Sequence, residues 1–523
     1  MKSRYGKGNR AFPKVAAALV AVALAGVSAC DADDESTPAP ASAAPSAVAP
    51  SLSWGRCPEV SAATTRDPRL SCATVQVPLD YHQPDGPKID VAISRLPSTK
   101  PDKRHGVLLV NPGGPGLPGL DTPGDFARTL PASVLEGYDL IGFDPRGVAH
   151  STPQSCGLAD PSVVGLFPYP AADGSTTANV DLGRAQAQQC SGIADRLRHF
   201  TTANTARDLD RVRQALGEEK VSYWGQSYGT YLGTVFSSLF PDRVDRMVLE
   251  GNVDPTKIWA ESVGQWGKGV AERFPDAARV AAAQNGVLGL GGTVDEVTQT
   301  YLALADRLDR TPAPIAGAAL TGSLLRNVTH SLMLHNETLP VLAQFWKAAA
   351  DLADGRPTDA DGEVLKQVFA ENPATPGVPA DNQATMFLAL DCGDVAWSRD
   401  LADYATRTAA DRAKWPLTAG MPADVWACAF WPTPPVEAPV TVTDNGPRTT
   451  LILQNKRDNA TPWDAGLGLR KALGQRAAFV GVDNGGHYVY HAGSACADGA
   501  TVDFLTTGHL PDADVTCTDA PQP

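Results

Sequence analysis

The stretch Val221–Thr230, VSYWGQSYGT, sets a short apolar run against a serine held between two glycines. The apolar run reads as a buried strand, and YGTYLGTVFSSLF, starting at Tyr228, reads as a helix. A strand that turns into a helix across Gly-x-Ser-x-Gly needs small residues at 225 and 229, because the turn closes too tightly for side chains. Such a turn lifts Ser227 above the sheet, near the positive end of the following helix. Ser227 is therefore the candidate nucleophile. A serine hydroxyl attacks well only when a base takes its proton, so a histidine must be found.

In this arrangement the acid follows the serine and the histidine comes last. Five histidines follow Ser227: His330, His335, His487, His491 and His509. His487 lies in DNGGHYVY, a loop directly after the strand-like run AAFVGV, and is the candidate base, with His491 in reserve. Asp458 stands just beyond the run TTLILQ and is the candidate acid, placed to accept the imidazole Nδ1–H. Asp464 reads as part of the next helix, and Asp444 and Asp483 are less well placed. NPGGPG, Asn111–Gly116, follows the run GVLLV. There an amide of Gly113 or Gly114, together with that of Tyr228, is expected to form an oxyanion hole.

Outward from the serine, ATVQVPLDY and KIDVAISRL alternate apolar and polar residues around HQPDGP and read as an antiparallel hairpin. The runs GVLLVN, YDLIGFD, VSYWG and RMVLEG read as buried strands separated by helical segments, which predicts a largely parallel sheet covered on both faces. Between about 255 and 440 the pattern is helical, with no clear strand rhythm, before strands resume. The expected organisation is a core over 53–254 and 441–523, interrupted by a mainly helical cap at 255–440. Ligands of such sheets bind at the carboxyl ends of the strands.

The first residues read differently. Lys2, Arg4, Lys7, Arg10 and Lys14 precede the apolar VAAALVAVALAGVSA, as in a signal peptide spanning 1–29, and VSAC resembles a lipobox with Cys30 as the lipidated residue. Residues 30–52, rich in Asp, Pro, Ala and Ser, read as a disordered tether. Removing Cys30 from nine cysteines leaves an even eight, which in an exported chain suggests disulfides. Pairing of sequence neighbours gives Cys57–Cys72, Cys156–Cys190, Cys392–Cys428 and Cys496–Cys517. No CxxC or Cys/His cluster suggests a metal, and no cofactor is expected. The formal charge of −14 argues against nucleic acid as a partner.

NPGGPG, GFDPRGV, GQSYGTYLG, FPDRVDRMVLEGNVDP, CAFWP, DNATP and the late GGH together resemble the exported tripeptidyl aminopeptidases of actinomycetes. These are α/β-hydrolase serine peptidases related to proline iminopeptidases. The resemblance covers nearly all of the chain after the tether and implies the same three residues, Ser227, Asp458 and His487. Gln226 stands where many relatives carry an aromatic residue, and Asn459 where proline is common. The resemblance implies an exopeptidase that releases short, tripeptide-type units from peptide N-termini, held to the outer face of the cell membrane through Cys30 or released. Recognition of a free ammonium calls for a carboxylate, and Glu250 and Asp254 are the first candidates, with Asp391 and Asp394 behind them. Two other readings are an esterase or amidase on the same machinery, and a peptide-binding lipoprotein without catalysis.

Overall fold

The computed structural model describes residues 52–522 except 62–63, 316–317 and 371–372. The expected signal peptide, the lipidation site Cys30 and all but the last residue of the expected tether lie outside them. Strands β1 (Ser71–Pro78) and β2 (Lys88–Leu96) pair antiparallel, as the alternating pattern predicts. β3 (Gly106–Asn111), β4 (Tyr138–Phe143), β5 (Val221–Gln226) and β6 (Val244–Glu250) follow. A separate two-stranded hairpin, β7 (Ala313–Ile315) and β8 (Ala318–Leu320), precedes β9 (Thr450–Arg457), β10 (Ala477–Gly485) and β11 (Val515–Cys517).

The main sheet has nine strands in the order β1-β2-β4-β3-β5-β6-β9-β10-β11 and is parallel from β4 to β11. Its central strands are continuous apolar runs because each face is covered. Val107 and Leu109 enter one core with Tyr223, Leu249 and Ile452, while Leu108 and Val110 enter the other with Trp224, Val248 and Leu451. The fold is thus a doubly covered, mostly parallel α/β sheet. The carboxyl ends of β3, β5, β6, β9 and β10 stand side by side, so the loops carrying Gly113, Ser227, Gly251, Asp458 and His487 meet along one edge.

Residues 251–449 add no strand to this sheet. Helices Trp266–Ala283, Val294–Arg310, Gly322–Leu332 and Leu339–Ala353 bury a core of their own around Phe274, Tyr301, Leu325 and Trp346. The β7–β8 hairpin departs from the expected absence of strands there; runs of three residues are too short for a period-two pattern to register. Helix Asn382–Gly393 packs instead into the sheet's core through Met386, Leu388 and Leu390. All four expected cysteine pairs are disulfides: Cys57–Cys72, Cys156–Cys190, Cys392–Cys428 and Cys496–Cys517. Among the described residues no helix is long and apolar enough to cross a membrane.

Candidate active site

Ser227 follows β5 with φ 55° and ψ −123°, a backbone conformation that costs an L-residue energy and is retained where the surroundings over-determine it. Those surroundings are visible. A Cβ at Gly225 would lie 2.3 Å from the Gly229 carbonyl oxygen, and one at Gly229 would lie 2.6 Å from Asn111 Oδ1. Tyr223 donates its hydroxyl to the Gly229 carbonyl at 2.8 Å, and Ser227 donates its N–H to the Glu250 carbonyl at 3.0 Å. Helix Tyr228–Leu239 begins at the next residue, so its positive end faces the serine.

His487 is 3% exposed, and Asp458 is wholly buried. His487 Nδ1 lies 2.9 Å from Asp458 Oδ2 and 3.1 Å from Oδ1, which fixes the ring and leaves Nε2 as the second nitrogen. Asp458 also accepts the N–H groups of Ala460 and Thr461, the Thr461 hydroxyl at 2.8 Å and Gln454 Nε2 at 3.2 Å. Gly251 lets the ring sit against β6, since a Cβ there would lie 2.8 Å from His487 Cε1. Ser227 Oγ makes no hydrogen bond with a described residue; resting geometries of nucleophile and base are often looser than reacting ones. His491 is exposed and donates its N–H to Asp498. Asp464 lies in helix Trp463–Leu473, Asp483 pairs with Lys456 and Arg457, and Asp444 packs beside Gly474.

Of the two glycine amides expected at the oxyanion loop, that of Gly113 is donated to Asn111 Oδ1 at 3.1 Å. No described residue accepts the N–H of Gly114 or of Tyr228. Gly113 serves by packing: φ is +98°, and a Cβ would lie 2.9 Å from Ser227 Cβ.

The two proposed ammonium ligands are otherwise engaged. Glu250 is 1% exposed and accepts four N–H groups: Trp224 Nε1 and Gln226 Nε2 on Oε1, and the amides of Val489 and Tyr490 on Oε2. Both oxygens are saturated, so an ammonium would have to displace donors that tie the serine strand to the histidine loop. Asp254 is 3% exposed, accepts Thr256 N–H and Oγ1–H, and packs against Gly468 rather than facing a cleft. Asp394 accepts from Thr202 and from Trp259 Nε1, and burial pushes it up to about 6. Trp259 stacks on Tyr228 at 5.9 Å, so Asp394 braces the residue after the nucleophile. Burial also holds the Asp391 carboxyl well above the usual carboxylate range.

Sequence reasoning missed what the inserted helices bring. Leu334 carbonyl accepts His487 N–H at 2.8 Å, and Asn459 Nδ2 donates to His330 carbonyl at 3.0 Å. His330 stacks on Trp266 at 5.0 Å; burial lowers it to about 4, and the positive charge that His487 can carry acts in the same direction. An open cleft of about 650 Å³ runs beside the site, bordered by Gln226, Glu250 and Tyr488. Among the described residues one group of three possible metal ligands comes together, Cys496, Cys517 and Asp519, and its two sulfurs are bonded to each other.

The α/β hydrolase fold family matches residues 106–494. The chain is 32% identical over 468 residues to the tripeptidyl aminopeptidase of Streptomyces lividans, covering 86% of this chain and 83% of that protein. It is 30% identical over 463 residues to serine protease Hip1 of Mycobacterium tuberculosis, covering 85% and 87%. It is also 32% identical over 496 residues to carboxylesterase B of Mycobacterium tuberculosis, covering 90% of each. The sheet, the serine turn and these likenesses agree: the chain is an enzyme of the α/β-hydrolase family, a serine hydrolase of the group that includes the tripeptidyl aminopeptidases.

Proposed function

We propose that the protein is an exported serine peptidase that releases tripeptide-type units from peptide N-termini through an acyl-enzyme. The observation that carries this reading is the buried Asp458–His487 pair standing at the same strand edge as Ser227 with its positive φ. In the first half-reaction Ser227 Oγ bonds to the scissile carbonyl carbon while its proton passes to His487 Nε2. Asp458 holds Nδ1–H and stabilises the imidazolium. The N–H groups of Gly114 and Tyr228 receive the oxyanion, each such donor being worth ~10²–10³ in rate. The C–N bond then breaks, and the leaving nitrogen takes the proton from Nε2. Water repeats the sequence on the ester, giving the free peptide acid and restoring Ser227.

Four disulfides favour an oxidising compartment and so support export; attachment to the outer face of the cell membrane through Cys30 is part of the same proposal. A second reading, hydrolysis of small esters or amides on the same residues, is favoured by the likeness to a protein named carboxylesterase. Release of an arylamine from a tripeptide with a free N-terminus, compared with the same tripeptide acetylated, separates the two, with Ser227→Ala as the blank. Hydrolysis of the free form alone supports the aminopeptidase. Equal hydrolysis of both removes ammonium recognition, and cleavage of a simple ester with neither peptide cut leaves the esterase.

A further inference from the structure

Helix Gly322–Leu332 ends at Met333, and the turn that follows, 333–336, supplies the Leu334 carbonyl that accepts His487 N–H. One side chain grips that turn at both ends. Arg273, wholly buried in helix Trp266–Ala283, donates Nε–H to the Met333 carbonyl at 3.0 Å and Nη2–H to Asn336 Oδ1 at 2.7 Å. A guanidinium suits a helix C-terminus, where the last carbonyls carry partial negative charge. Its planar fork fixes the direction of each acceptor, so the carbonyl between them, on Leu334, is aimed as well.

The same guanidinium reaches toward the acid. Its Nη1–H is donated to Asp276 Oδ2 at 2.7 Å, and that oxygen also accepts Arg457 Nε–H at 2.8 Å. Arg457 immediately precedes Asp458, and its carbonyl accepts the N–H of Gly486, the residue before His487, at 3.1 Å. The Arg273–Asp276 pair lies against the end of β10, where a Cβ at Gly485 would run into Arg273 Nη1 and Asp276 Oδ2. A buried ion pair often gains little stability over apolar side chains of the same volume. What this one does supply is a fixed geometry on both sides of the acid–base pair.

We propose that Arg273 is a positioning residue for the reaction. It aims the Leu334 carbonyl that holds His487 and, through Asp276 and Arg457, ties that turn to the residue before Asp458. The inserted helices thereby set acid and base relative to each other through one guanidinium that touches no reacting atom. The inference rests on His487 as base and Asp458 as acid, and not on whether the acyl donor is a peptide or an ester.

Arg273→Lys tests it, because an ammonium keeps the charge beside Asp276 and cannot hold three acceptors in fork geometry. The wild-type enzyme, this variant, Gly486→Ala, the double variant and His487→Ala are compared on a p-nitrophenyl ester, with rates expressed per folded molecule from circular dichroism at the assay temperature. Arg273→Lys is expected to lower kcat roughly tenfold to a hundredfold, with KM changed by less than about twofold, and to slow fluorophosphonate labelling of Ser227 in parallel. Combined with Gly486→Ala it should lose less than the product of the two single losses, because both act on one contact. Asn336→Ala frees one arm of the fork and serves where the lysine variant does not fold, with kcat about fivefold lower at unchanged KM. A kcat per folded molecule equal to that of the wild type, with only the melting temperature lowered, would make Arg273 structural and overturn the proposal. Losses that multiply in full would overturn it too. Wild-type rates in His487→Ala would instead remove the base, and the positioning role with it.

Discussion

The backbone N–H of His487 donates to the carbonyl of Leu334 at 2.8 Å, so a loop of the inserted helices holds the candidate base directly. The contact depends on Gly486, whose φ is +102° and where a Cβ would lie 2.9 Å from the Leu334 oxygen. Gly486→Ala is expected to add about 1–3 kcal/mol of local strain and to push the two segments apart. Its kcat should fall tenfold or more on ester and peptide alike. Steady-state kinetics beside a thermal melt checks this. An unchanged kcat would show that the base is positioned by Asp458 alone.

Glu250→Gln discriminates between the role expected from sequence and the one the structure gives. An ammonium ligand would, when neutralised, raise KM for free N-termini and spare acetylated or ester substrates. A carboxylate that receives four N–H groups from the serine strand and the histidine loop acts on both. An amide in its place must turn an NH₂ toward two of those donors, and hydrogen bonds to charged groups are worth ~1.5–3 kcal/mol. The expected result is a kcat roughly tenfold to a hundredfold lower on every substrate, with KM little changed. A selective rise in KM for free peptides would restore the ammonium assignment.

Much of this site was legible because its parts obey short-range rules. Ser227, Asp458 and His487 each follow an apolar run that reads as a buried strand, and the glycines at 225 and 229 mark the turn. Neighbouring cysteines pair because short loops close readily. The illegible parts are those whose partners come from distant segments. Nothing local in LEGNVDP says that Glu250 will meet Trp224 and Gln226 on one side and the amides of Val489 and Tyr490 on the other. Gly113 and Gly114 look equivalent in NPGGPG until the Asn111 side chain is seen to take one amide. His330 and His335 fall in the expected helical cap at 255–440, and chain order does not tell how that insertion folds back over the strand ends. β11, three residues long, carries too few alternations to be recognised.

Thr461 is a further case of a partner that only the fold supplies. Its hydroxyl donates to Asp458 Oδ2 at 2.8 Å and lies 3.3 Å from His487 Nδ1. Thr461→Val keeps the shape and removes one donor from a buried carboxylate, leaving the acid less firmly oriented. A loss of roughly tenfold in kcat/KM is expected, with recovery in Thr461→Ser. Labelling of Ser227 by a fluorophosphonate should slow in parallel. If the valine and serine variants behave alike, the hydroxyl is not what matters.

His330 makes stability depend on pH in a defined window. Its ring stacks on Trp266, and Nε2 is sealed without a partner although the residue keeps some surface exposure. Burial lowers its pKa to about 4 in the folded protein, against 6.5 for the unfolded chain. Between those values the unfolded chain binds more protons than the folded one, so stability falls as pH drops. The contribution of the neutral ring is whole above 6.5 and is lost on passing down through 4. His330→Gln keeps a polar side chain that does not titrate. From pH 7 to pH 4 the wild-type protein should therefore lose roughly 1–3 kcal/mol more stability than the variant. Urea midpoints at the two pH values measure the difference directly, since carboxylates common to both proteins cancel. Parallel losses in the two proteins would mean that the ring already accepts its proton in the folded state, and that the Trp266 stack tolerates an imidazolium.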